Sequence, residues 1–365
     1  MRNLLIRFQK RHAESVSIMI QIVHKHKKTI LVVIVLATAF ATVAGAGCLT
    51  NSPGQPGSIL PDISRGSTLY PGESVSAPPL NPSQDGKIQV VTSFRPFTLL
   101  VGPIGGDHVT ITQILPPGAD PHEYEPTPND AVALKNGRIF FYAGPSLEPW
   151  AADLAASSNP DIQRVTFADA IPEAAYDQMK SQYANFPDMT QDPHLWLSPQ
   201  LTEYYADYVA RRLSETDPQN ASDYQNNAAV FEKRLQQLDS DYSAGFSNCT
   251  TRSFLSSHSF LGYIASAYNL TQISISGMSP DAQPSLKQMS AVIEEAKAYN
   301  VRGILTEPDE AEDLSKSVSA ELSLPVYYIT TMEVLPAGPL TEDDTDYVVI
   351  MENNLHEMKK AMLCQ

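Results

Sequence analysis

Three histidines of this chain stand in settings that suit a metal ligand. The chain has eight in all, and the tripeptide Asp-Pro-His occurs twice, at Asp120-Pro121-His122 and at Asp192-Pro193-His194. His258 follows the short apolar run in RSFLSSHSFLGYIASAYNL. Neutral imidazole is the commonest protein ligand for zinc and suits other late first-row metals. His122, His194 and His258 therefore predict a transition-metal site assembled from distant loops, with four ligands and nitrogen at about 2.0–2.1 Å if the metal is zinc. Asp120 and Asp192 are placed to orient neighbouring groups, the second ring nitrogen of a ligand histidine among them. Pro116, Pro117, Pro121, Pro126 and Pro128 restrict the loop around His122 and lower the entropy lost in holding it. His108 and His356 read as ordinary surface or core histidines, and Trp150 and Trp196 as packing residues.

The elements that would position these ligands follow from the hydrophobic pattern. KIQVVTSF, VTITQIL, RIFFYAG and RVTFADA read as strands, with helical stretches such as LEPWAADLAAS between some of them. From Pro199 the character changes. LTEYYADYVARRLSETD is helical, Asp217-Pro218 interrupts it, and SDYQNNAAVFEKRLQQLDSDYSAGF is a second long helix with Val230, Leu235 and Leu238 at helical spacing. SFLSS, QISIS, VRGILTE and PVYYIT then read as strands, and SFLGYIASAY, PSLKQMSAVIEEAKAY, AEDLSKSVSAEL and the stretch from Asp346 to Met362 as helices. Alternating strand and helix signals predict an α/β protein with parallel sheets. The boundaries fall at an N-terminal α/β lobe over 87–200, connecting helices over 201–245 and a C-terminal α/β lobe over 246–365. Open α/β sheets bind ligands at the carboxyl ends of their strands, and His122 follows the VTITQIL strand while His258 closes SFLSS. His194 lies in a loop before the long helices.

Residues 1–47 read as an export signal: Lys25, Lys27 and Lys28 precede the apolar run TILVVIVLATAFATVA, and small residues lead to Cys48. Met19 is an alternative start. The Ala-Gly-Cys ending resembles a lipoprotein box and makes Cys48 a lipid anchor; an uncleaved signal anchor is the alternative. Either places the folded part outside the membrane, tethered to its outer face. Residues 48–86 form a Pro/Gly-rich linker. Residues 1–47 hold seven of the 25 basic residues and one of the 41 acidic ones, so the remainder carries a formal charge of −22. That excludes the basic footprint that nucleic-acid binding needs. Cys249 and Cys364 are the other two cysteines, able to pair in an oxidising compartment. Sequons begin at Asn220, Asn248 and Asn269.

The segments GGDHVTITQILPPGADPHEYEPTPND, DPHLWLSP and SSHSFLGYIASAYNL, in this order, resemble the signature segments of the metal-binding solute receptors of ABC importers, the zinc- and manganese-type, ZnuA-like or cluster A-I family. The resemblance runs from about Lys87 to the C-terminus. It implies two lobes, each with a parallel sheet flanked by helices, joined by a long rigid helix, with metal held in the cleft between them. His122, His194 and His258 are then the three histidine ligands. The family often places a fourth ligand, an Asp, just after a late strand, near Thr330 and Thr331 here, where there is none. Glu307 is the first candidate to replace it, as ligand or as a group behind the ligands; Glu333 and a water are the others. Three imidazoles favour zinc, with manganese or iron as alternatives, and the His-rich loop of many zinc receptors is missing from EAAYDQMKSQYANFPDMTQ. The partners implied are a permease with its cytoplasmic ATPase, and the receptor itself is expected to be a monomer. A metallohydrolase is the competing reading from the histidines, though there is no HExxH motif. A surface adhesin is a third, which no sequence feature supports.

Overall fold

The apolar runs become two small parallel sheets. The computed structural model describes residues 86–183, 185–279, 282–308, 312–334, 341 and 343–365, all within the unit Leu69–Gln365. The export signal, Cys48 and the linker up to residue 85 lie outside the described residues. Strands β1 (Ile88–Thr92), β2 (Val109–Gln113), β3 (Ile139–Tyr142) and β4 (Gln163–Thr166) pair in the order β2-β1-β3-β4. Strands β5 (Ser253–Ser256), β6 (Thr271–Ser274), β7 (Ile304–Thr306) and β8 (Val326–Tyr328) repeat that permutation as β6-β5-β7-β8. Every pairing is parallel. Parallel sheets are covered on both faces, which is why the central strands β3 (IFFY) and β5 (SFLS) are buried at every position. The edge strands β2 and β8 are only partly buried.

In each sheet the strand order reverses once, between β1 and β3 and between β5 and β7. Ligands bind at the carboxyl ends of strands beside such reversals. Helices α1 (Arg95–Gly105), α2 (Pro128–Asn136), α3 (Ala151–Ser158) and α4 (Glu173–Gln182) belong to the first sheet. Helices α7 (Gly262–Ala267), α8 (Leu286–Ala298), α9 (Glu312–Leu322) and α10 (Tyr347–Met362) belong to the second. Leu255, Ile273, Ile275, Ala296, Val301, Ile304 and Val318 form the second core.

Between the sheets run α5 (Pro199–Thr216) and α6 (Ala221–Gly245). The side chain of Ser198 accepts from the Leu201 amide and Pro199 takes the first helical position, so α5 starts sharply. Asp217-Pro218 breaks the pair because the residue before proline is driven out of the helical region. At 25 residues α6 is about 37 Å long. Its buried face is Tyr224, Ala228, Phe231, Leu235, Leu238 and Tyr242. Val230, expected on that face, is 63% exposed; the register is set instead by the aromatic residues.

Candidate metal centre

Each histidine reaches the site from a different kind of support. Past β2 the chain stays beside β1, the amides of Ile114 and Leu115 donating to the carbonyls of Thr92 and Ser93. It then turns through the proline-rich loop to His122. Here Asp120 Oδ1 accepts the His122 amide at 2.7 Å. In the second Asp-Pro-His, Asp192 Oδ1 accepts the His194 amide at 3.0 Å. The repeated tripeptide is thus a local turn: the carboxylate closes on the amide two residues ahead, and proline presets the φ between them. Asp192 does more, since the same oxygen lies 2.8 Å from His194 Nδ1 and leaves Nε2 to face the site. His194 does not follow a strand; it opens the short helical turn Leu195–Leu197 before α5. His258 stands two residues beyond β5, its carbonyl accepting from Gln272 Nε2.

The three rings converge. Their centroids are 6.1 Å apart for His122 and His194, 6.2 Å for His122 and His258, and 5.4 Å for His194 and His258. The carboxylate that joins them is Glu333. One ligand atom from each of His122, His194, His258 and Glu333 falls within 4.8 Å of every other, the one such group among the described residues. Glu307, the first carboxylate considered from sequence, is not in it. Its Oε1 accepts from the amide and the hydroxyl of Thr331, both at 2.7 Å. Glu333 reaches the site because Met332 before it has φ +66°. A left-handed methionine costs about 1–2 kcal/mol, and its amide donates to Thr330 Oγ1 at 2.9 Å.

The donor set fits a four-coordinate cation. Glu333 Oε1 lies 3.2 Å from His194 Nε2, and Oε2 lies 3.5 Å from His122 Nε2. Ligands at 2.0–2.1 Å on a tetrahedron are separated by about 3.3 Å. The Nε2 atoms of His122 and His194 and Oε1 of Glu333 are buried and make no hydrogen bond of good geometry. Buried polar atoms are rarely left so unless an ion or water serves them. Burial pushes the His258 imidazole down to about 4, which keeps it neutral and able to ligate. Burial opposes protonation of His194 and His122 as well, but there the carboxylates win: Asp192 and Glu333 hold His194 up at about 10, and Glu333 raises His122. Burial would raise Glu333, yet the two imidazoles hold it well below the usual carboxylate range. The site is built to neutralise positive charge at its centre.

Trp196 ties the segments of the candidate ligands together. Its ring packs edge-on against Phe94 just before α1 and Phe97 within it, with centroids 5.3 and 6.3 Å away. Its indole donates to Thr331 O at 2.8 Å, two residues before Glu333. Tyr347 OH donates to Trp196 O at 2.6 Å, and Tyr263 OH to Asp192 O at 2.9 Å. The packing role read from sequence for Trp196 therefore understates it. Away from the site, Cys249 and Cys364 are joined by a disulfide.

Comparison with known proteins agrees with this fold. Residues 90–361 match the model of the family described as the zinc-uptake complex component A, periplasmic. The zinc-binding protein AdcA of Streptococcus pyogenes serotype M6 is 28% identical over 295 residues, covering 75% of this chain. The chain spans 56% of the length of that relative. Among solved structures, the Zn(II)-bound ZnuA-like domain of AdcA from Streptococcus pneumoniae is 28% identical, with a TM-score of 0.62 over 76% of this chain and 99% of its own. The laminin binding protein Lmb of Streptococcus agalactiae, described as having adhesin and metal transporting activity, is 26% identical, with a TM-score of 0.65 over 75% of this chain and 99% of its own. With residues 90–361 matched by that family's model, the chain belongs to the zinc-uptake complex component A family.

Proposed function

We propose that this protein captures one zinc ion outside the membrane, through His122, His194, His258 and Glu333, and hands it to a membrane permease driven by a cytoplasmic ATPase. The observation that carries the reading is the convergence of three imidazoles and one carboxylate within 4.8 Å. Three nitrogens and a single carboxylate suit zinc; manganese prefers more oxygen ligands, and iron stands between. The zinc-bound AdcA domain supports the same choice. In this reading the protein transforms no substrate. Cys48 tethers a monomeric receptor to the outer face of the membrane by a lipid, and the linker holds the receptor off the bilayer. Because imidazoles must lose their protons to ligate, capture weakens as pH falls.

The test is a titration of metal-free protein with zinc and manganese against a competing chelator, with His122→Ala, His194→Ala, His258→Ala and Glu333→Ala alongside. One zinc per chain, bound more tightly than manganese and weakened in each variant, is the expected result. Binding indifferent to all four substitutions would sink the reading. Tighter manganese would make it a manganese receptor. A second role, adhesion, has the likeness to Lmb behind it. Saturable binding of the purified protein to immobilised laminin is its test, and binding abolished by physiological salt would dismiss it.

A further inference from the structure

The fourth ligand stands on a backbone that does not hold itself. Met332, immediately before Glu333, is fully buried and left-handed, although methionine has no preference for that region. Such conformations persist where the surroundings over-determine them. Here the determinants converge on Thr331. Its amide and hydroxyl both donate to Glu307 Oε1 at 2.7 Å. Its hydroxyl oxygen accepts the Glu333 amide at 3.2 Å. Its carbonyl accepts the Trp196 indole at 2.8 Å. The preceding residue is fixed as well, with Asn354 Oδ1 accepting the Thr330 amide and Asn354 Nδ2 donating to the Thr330 carbonyl. Glu307 is itself buried, 7% exposed, at the carboxyl end of β7 beside the reversal of strand order.

We propose that Glu307 is a positioning residue for the metal: acting through Thr331, it fixes the backbone that presents Glu333, and Trp196 links that backbone to the segment carrying His194. The inference rests on the zinc-capture reading and assigns Glu307 a role distinct from ligation. The chain of contacts is short and directional. Glu307 accepts two hydrogen bonds from Thr331, Thr331 accepts one from Glu333, and the Glu333 carboxylate lies 3.2 Å from His194 Nε2. Two ligands from distant parts of the sequence are thereby set against each other before any ion arrives. Preorganisation of this kind lowers the cost of binding.

A cycle of variants tests it, read by zinc affinity in chelator competition and by the visible spectrum of the cobalt-loaded protein. Glu307→Ala is expected to weaken zinc about 10- to 100-fold, the usual cost of losing a group that supports a ligand. Glu307→Gln keeps an acceptor for Thr331 and is expected to stay within about threefold of the wild type. Glu307→Ala combined with Glu333→Ala should bind no more weakly than Glu333→Ala alone, because the first acts through the second. The cobalt spectrum of Glu307→Ala should move toward that of Glu333→Ala, whereas that of Glu307→Gln should not move. Thr331→Val removes the relay hydroxyl without the charge; it serves if Glu307→Ala does not fold, and its expected loss is up to about tenfold, again absent in the Glu333→Ala background.

Multiplying losses in the double variant would overturn the proposal, as would a Gln variant as weak as the Ala variant, which would make Glu307 a ligand. Wild-type affinity in both Glu307→Ala and Thr331→Val would also overturn it. These outcomes differ from failure of the zinc-capture reading, in which the unsubstituted protein itself binds no zinc.

Discussion

At the scale of the residue, the histidines announce themselves and the carboxylate does not. Imidazoles are few, and two of them share the Asp-Pro-His turn, so the candidates are visible in the sequence. Carboxylates are many, 41 in the chain, and which of them turns inward depends on backbone. Glu333 comes two residues after Thr331, where the family's aspartate would fall, and the left-handed Met332 re-aims it. No residue type at position 332 signals that turn, so sequence offers Glu333 only as one of several candidates. The role of Asp192 is legible in the sequence, because an aspartate beside a ligand histidine can orient its second ring nitrogen, and the structure adds the bond to the amide. Asp192→Ala should therefore weaken zinc about 10- to 100-fold with folding intact. Asp192→Asn, which keeps an acceptor for the Nδ1 proton, should recover most of that loss. Chelator competition on the two variants decides it, and equal affinities would show that the carboxylate does not orient the ring.

At the scale of the element, the strands follow the sequence closely because most are compact apolar runs, and proline marks the helix break at Asp217-Pro218. The error at Val230 has a physical source. The buried face of α6 is carried largely by Tyr224, Phe231 and Tyr242, and tyrosine counts as polar until its hydroxyl finds a partner. Tyr224 OH donates to Asp217 Oδ2 at 2.9 Å and Tyr242 OH to Met351 O at 2.8 Å. The seam between α5 and α6 also collects carboxylates: Glu203 and Asp207 on one helix, Glu232 and Asp239 on the other. Arg211 pairs with Asp207, Gln236 Nε2 donates to Glu203 Oε2 at 3.2 Å, and Gln200 and Tyr268 donate to Asp239 Oδ1. Burial pushes Glu203 and Glu232 up to about 7, with Asp239 adding to the first and Asp207 to the second. A carboxyl whose pKa is raised on folding contributes stability that is complete below its unfolded value, near 4.3, and is lost as pH rises through 7. Glu203→Gln keeps the acceptor for Gln236 and removes the buried charge. With zinc chelated, it should melt above the wild type at pH 8 and converge with it, or fall below it, at pH 5. Parallel melting curves across that range would mean that Glu203 carries no excess proton in the folded protein.

At the scale of the whole molecule, the metal end and the opposite end of the second lobe are held by separate devices. The candidate ligands gather at one end of the lobes, where Trp196, Tyr263, Glu307 and Tyr347 lace the loops together. The amino end of β5 is closed by the Cys249–Cys364 disulfide, set in an antiparallel bridge between the chain leaving α6 and the last residues after α10. The Gln365 amide donates to Asn248 O and the Thr250 amide to Leu363 O around it. The bond closes a loop of 115 residues that contains the whole second sheet. Cross-links of that span restrict the unfolded chain by about 4–5 kcal/mol when no strain offsets them. The hydrogen bonds described for Asp192, Thr331 and Trp196 at the metal end run to one another and to the ligand segments rather than to the disulfide, so the effects on stability and on affinity should separate. Cys249→Ser/Cys364→Ser should lower the urea unfolding free energy by about 2–5 kcal/mol while zinc affinity at 25 °C stays unchanged. A parallel loss of affinity would show that the amino end of β5 transmits to His258 at its other end, and the second lobe would then have to be treated as a single cooperative support for the site.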